Sequence, residues 1–132
     1  MARRGGFVGK ERVAARFAAL KREVRQHLAD AVRDNSEALA EAHRRLAPVE
    51  SGKTVRSIKS EEVEGSQGRS YLNSAGADDK GGDDAFYARM VEFGTVKRPA
   101  HPWFYPTARA MRKQFKRRYR QGLRAAIKES RQ

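Results

Sequence analysis

No cysteine occurs in the 132 residues, so disulfides and thiolate metal centres are both excluded. Proline is scarce: of four in all, three crowd between positions 99 and 106. No apolar run approaches the ~20 residues a membrane span needs. The basic start, Met1 to Gly6, is not followed by the apolar stretch of a secretory signal. The expectation is a soluble cytoplasmic protein with no membrane partner. Acidic residues are outnumbered, 16 Asp and Glu against 29 Lys and Arg, which leaves a net charge of +13. Such a balance favours nucleic acid, anionic membranes or acidic protein surfaces without choosing among them. Hydrophobic residues make up only 39%, lean for an enzyme core, which suggests apolar surface buried against other subunits.

The absences extend to catalysis. No nucleophile elbow is present. Gly5-Gly6 and Gly81-Gly82 lack the Lys-Ser/Thr that completes a phosphate loop. Asp78, Asp79, Asp83 and Asp84 lack the alternating ligands and distal Glu of an EF-hand, and read as a solvated loop. His27 and His43 lie sixteen residues apart on one helical pattern and His101 lies in a proline-rich connector. None has a partner at metal-ligand spacing, so the helical histidines read as surface residues. The sequence therefore predicts no enzyme, no metal and no cofactor.

What is present is a sequence for one α+β domain. Residues 1–9 read as a flexible basic arm and residues 10–132 as a single domain of a length that can bury a real core. From Lys10 to Ala47, Val13, Phe17, Leu20, Val24, Leu28, Val32, Leu39 and Leu46 recur at helical steps and predict one long helix, stopped by Pro48. Asp34 and Glu37 could form a local capping box and allow a bend. At 1.5 Å per residue such a helix is roughly 55 Å long, against a radius of gyration of about 14 Å for a compact domain of this size. One end must project or lie along a neighbour.

Residues 49–75 predict a small antiparallel sheet. Thr54, Val55, Ile58 and Val63 suit one strand, Gly65-Ser66-Gln67-Gly68 a turn, and Arg69 to Asn73 a second strand. A polar loop from Gly76 to Asp84 leads to a short helix over 85–93, capped by Asp83 or Asp84 and ended by Gly94. Pro106 suits the first turn of a basic helix running to Lys128, with Phe104, Ala108, Met111, Phe115, Tyr119, Leu123 and Ile127 as its apolar face.

Two constellations stand out. Between Tyr87 and Thr107 a helical segment, a glycine stop and a proline-bracketed aromatic knot, Trp103-Phe104-Tyr105, follow one another. Such aromatics serve as core anchors or interface residues, and three in succession cannot all point inward. After it, Arg112, Lys113, Lys116, Arg117 and Arg120 belong to a run in which Glu129 is the only acid. That run suits phosphates, read without base specificity, an acidic protein partner, or a solvated face.

At these residues the chain resembles a family of tail-component proteins from long-tailed bacteriophages and related prophage or gene-transfer-agent-like particles, the neck proteins of tail-completion or tail-terminator type. The family's Thr-Gly-x-Leu-x-x-Ser-Ile is matched by Ser51 to Ile58, its Tyr-Ala-x-x-Val-Glu-Phe-Gly-Thr by Tyr87 to Thr95, and its Arg and Pro-Phe-Leu-x-Pro-Ala by Arg98 and Pro102 to Thr107. Ser51, Thr54 and Thr107 depart from the pattern. The resemblance covers most of residues 10–130. It implies a structural virion protein, assembled in the host cytoplasm, that forms a ring at the head-tail junction. The ring, a hexamer by this likeness, would close the tail tube and join it to the head connector. Implied partners are other copies of the chain, the tail tube protein and a head-completion or connector protein, with non-specific contact to DNA in the channel. Glu92, Phe93, Gly94, Arg98, Trp103, Phe104 and Tyr105 would serve subunit contact or docking. Arg112, Lys113, Lys116, Arg117 and Arg120 would face channel DNA or an acidic partner. The rival reading is a small DNA-binding protein without sequence specificity.

Overall fold

The computed structural model describes the backbone of residues 2–48, 53–76 and 83–131, and the side chains of 9–48, 54–76 and 88–131. The elements run α1 (Ala2–Leu46), α2 (Lys53–Ser57), β1 (Lys59–Glu62), β2 (Tyr71–Ser74), α3 (Asp83–Phe93), α4 (Phe104–Ala110) and α5 (Arg112–Ser130). The α+β class holds, with a long first helix, a two-stranded antiparallel sheet, short middle helices and a basic last helix.

α1 is one unbroken helix of 45 residues, about 68 Å at the standard rise. It begins at Ala2, so residues 2–9 of the expected arm are its first turns. The three glycines there each cost about 1 kcal/mol relative to Ala, but extending a helix already nucleated is cheap. Residues 9–18 are all exposed, so this end of α1 projects. The Asp34–Ser36 stretch does not interrupt the helix. Asp34 stays exposed, while Asn35 and Ser36 turn inward: Asn35 Nδ2 donates to the Phe115 carbonyl at 3.3 Å, and Arg118 donates to Asn35 Oδ1 at 2.6 Å.

The face of α1 that packs takes in the middle of the expected stripe, Leu20, Val24, Leu28, Val32 and Leu39, which are half-buried, but it centres on smaller residues. Its fully buried positions are Ala31, Asn35, Ser36, Ala40, Ala42 and His43, whereas Val13, Phe17 and Leu46 are exposed. α5 shows the same correction. Tyr119, Leu123 and Ile127 lie open, and Ala126 is buried. Positions four apart advance 400° per step and drift round a helix, whereas a straight seam alternates steps of three and four. Met111, Phe115, Arg118, Gly122 and Ala126 follow that seam and are at least half-buried. Small residues let the two antiparallel helices approach: a Cβ at Gly122 would stand 3.2 Å from the His27 carbonyl oxygen.

A small core of Ala40, Ala47, Ile58, Ala88 and Trp103, with Val55, Val91 and Phe104 packed against it, joins the C-terminal part of α1 to α2, α3 and the start of α4. Thr54 and Val55, expected in a strand, belong to α2. Burial of Thr54 and Ile58 outweighs β propensity, and the Ser57 hydroxyl, donating to Thr54 O at 2.6 Å and accepting from Gly76 N at 2.7 Å, ties the turn to the end of β2. β1 pairs with β2 from Lys59↔Ser74 to Glu62↔Tyr71. The turn between them carries positive φ at Gly65, Gln67 and Gly68, as its glycines suggest. Ser36 anchors the sheet to α1: its hydroxyl donates to Asn73 Oδ1 beside Ser60 Oγ, and Asn73 Nδ2 donates to the Ser36 carbonyl at 2.9 Å. α3 extends the expected 85–93 helix back to Asp83. The proposed caps at Asp83 or Asp84, and most of the 76–84 loop, fall outside the described side chains.

Candidate functional site

α3 ends where Gly94 takes φ +78°, and its amide donates to Met90 O at 2.7 Å. A side chain there is excluded twice. The dihedral is costly for any residue with a Cβ, and that Cβ would sit 2.7 Å from the Ala100 amide nitrogen. A tight loop follows. Thr95 N donates to the Arg98 carbonyl at 2.9 Å, and Thr95 Oγ1 accepts from Lys97 N and Arg98 N. His101 N then donates to Val91 O at 2.8 Å, which lays the returning chain beside α3.

The return delivers three amides to one carboxylate. Glu92 Oε2 accepts from Trp103 N at 2.7 Å and Phe104 N at 2.8 Å, and Oε1 accepts from Tyr105 N at 3.1 Å. Helices begin with unsatisfied amides. Trp103, at the cap position of α4, offers no side-chain acceptor, and Pro106 brings no amide. Glu92 therefore supplies the cap from another element and takes every donor of that first turn. Burial pushes the Glu92 pKa up, but the three amide bonds outweigh it and hold the group below the ordinary carboxylate value. This cap also explains why the final helical stretch starts at Phe104, two residues before the position the sequence suggests. A change in ψ at Met111 divides the stretch into α4 and α5, although Met111 N and Phe115 N keep the hydrogen-bond ladder continuous.

His43, expected on the surface, is fully buried beneath this clasp. Its Nε2 lies 2.9 Å from the Phe104 carbonyl, its ring stacks on Phe104 at 4.1 Å, and it meets Trp103 edge-on at 5.8 Å. Burial lowers its pKa, so the neutral ring donates through Nε2. Among the described residues, His43 Nδ1 and Trp103 Nε1 are buried without a partner.

The aromatic knot thus divides its roles. Trp103 joins the core, Phe104 stacks on His43, and Tyr105 faces out, 51% exposed. Phe93, 64% exposed, lies 6.0 Å from Tyr105 between ring centroids. The two border an open groove of about 430 Å³ lined also by Asn73, Ala75, Arg89 and Glu92. Of the residues read as one interface, Glu92, Gly94 and Trp103 build the clasp, Phe104 bridges, and only Phe93, Tyr105 and the exposed Arg98 present a surface. Arg112, Lys113, Lys116, Arg117 and Arg120 are all exposed on α5, and among the described residues none has an ion-pair partner.

His27 also departs from expectation. It lies beside Glu23 and Glu129, and hydrogen bonding to Glu129 raises its pKa. The Glu23-x-x-x-His27 spacing was legible as a shared helix face; the arrival of Glu129 was not. No protein-family model, curated protein or solved structure matches the chain.

Proposed function

We propose that the chain is a structural virion subunit that forms a ring at the head-tail junction of a tailed phage or related particle, closing the tail tube and joining it to the head connector. The observation that carries this reading is the Glu92 clasp. Two of the three blocks on which the resemblance rests, Tyr87–Thr95 and Pro102–Thr107, meet through one carboxylate, and their union sets Phe93 and Tyr105 outward on a rigid support. A rigid aromatic pair beside a groove suits a contact between protein surfaces. The projecting end of α1, with Phe17 67% exposed, adds apolar surface that a neighbouring subunit would cover. Head-to-tail contacts that close by rotation give a ring.

The test is imaging and mass measurement of the purified chain with and without tail tube protein. Rings with a central hole, free or capping the tubes, are expected. A chain that stays monomeric and leaves tubes uncapped refutes the reading. The exposed basic face of α5 favours a second reading, non-specific duplex binding. In that case affinity for all sequences falls alike with salt, and no ring forms.

A further inference from the structure

The last turn of α5 directs a separate set of donors at α1, away from the Glu92 clasp. Glu23 and His27 stand one turn apart on α1, on the same face. Glu129 reaches them from α5. His27 Nε2 lies 3.0 Å from Glu129 Oε2 and 4.0 Å from Glu23 Oε2, and one donor atom from each of the three residues falls within 4.8 Å of the others.

Two carboxylates directed at one imidazole from two helices differ from a scatter of surface acids. The imidazole is a donor that suits zinc and its neighbours, whereas hard cations take oxygen alone. With metal–ligand bonds of about 2.0–2.1 Å, tetrahedral donors stand about 3.3 Å apart, near the 3.0 Å between His27 and Glu129 and shorter than the 4.0 Å from His27 to Glu23. The frame is fixed, because Gly122 brings the α5 backbone against the His27 carbonyl. The side chains are 23–50% exposed, so an ion can enter and water can complete its shell. Glu129 is also the only acid after Thr107, in a helix whose other charges all repel a cation.

We propose that Glu23, His27 and Glu129 form a binding site for a zinc-class divalent cation that pins the end of α5 to α1. The test is titration of zinc into the chelator-stripped full chain, followed by calorimetry and by thermal melting. One ion per chain and a raised Tm are expected. His27→Ala and Glu129→Gln should each weaken binding at least ten-fold, while His101→Ala, at an exposed histidine far along the chain, leaves it unchanged. Circular dichroism checks that each variant remains helical, and Glu129→Gln, which keeps size and hydrogen bonding, decides the matter if His27→Ala unfolds. Wild-type affinity no tighter than that of Glu129→Gln, or zinc displaced by an equal concentration of magnesium, would overturn the site and leave a histidine-centred ion pair.

Discussion

Glu92 and Phe104 are twelve residues apart in sequence, yet the carboxylate of one accepts the amide of the other at 2.8 Å. Because the same group holds the amides of Trp103 and Tyr105, one side chain fixes where α3 stops, where α4 starts and how the aromatic knot sits between them.

Glu92→Ala should therefore cost more than an ordinary surface change. It strands three amides at a largely buried helix start, and hydrogen bonds to charged groups contribute about 1.5–3 kcal/mol. A loss of about 3 kcal/mol is expected, with Glu92→Gln losing less because it keeps one acceptor. Denaturant unfolding measures both. Equal stability of Glu92→Ala and wild type would show that the clasp does not hold this turn.

Gly94 and Gly65 provide an internal comparison, since both have φ +78°. A Cβ at Gly65 meets nothing within 4 Å, whereas one at Gly94 meets the Ala100 backbone at 2.7 Å. Gly65→Ala should cost about 1 kcal/mol, the penalty of the dihedral alone. Gly94→Ala should cost clearly more. Matching Tm losses in the two variants would contradict the close approach.

The pH dependence follows from His43. Burial depresses its folded pKa below the ordinary value of 6.5, so below that pH the unfolded chain binds a proton that the folded chain refuses. Its contribution to stability is complete above pH 6.5 and is lost as the pH falls. Relative to His43→Gln, wild type should lose up to about 1.4 kcal/mol per pH unit below 6.5. The comparison cancels His27, whose raised pKa acts in the opposite sense. Glu92, held below 4.5, enters only in more acid solution. A stability difference that stays flat from pH 7 to 5 would mean that His43 titrates normally.

Replacing Lys113, Lys116, Arg117 and Arg120 by Gln should change folding stability by less than about 1 kcal/mol, because all four are exposed. If α5 lines a DNA channel, duplex affinity falls equally for every sequence and its salt slope becomes shallower. If α5 meets acidic neighbours, ring assembly fails while DNA affinity barely moves. Retention of both assembly and DNA affinity would leave a solvated basic face.

Local chemistry determined much of this protein directly. The period of Val13 to Leu46 required one long helix, Pro48 ended it, the glycines at 65 and 68 set the hairpin turn, and Gly94 marked the stop of α3. Each of these rests on what a residue does to its own backbone. Tertiary structure decided the rest. Which face of α1 and α5 is buried depended on how closely two backbones could approach, so Ala126 was buried and Gly122 half-buried where Leu123 and Ile127 were exposed. The burial of His43, the arrival of Glu129 beside His27, and the capping of α4 by Glu92 all join residues from separate elements. No local pattern encodes such meetings, because the energy that fixes them comes from packing surfaces that exist only once the chain has folded.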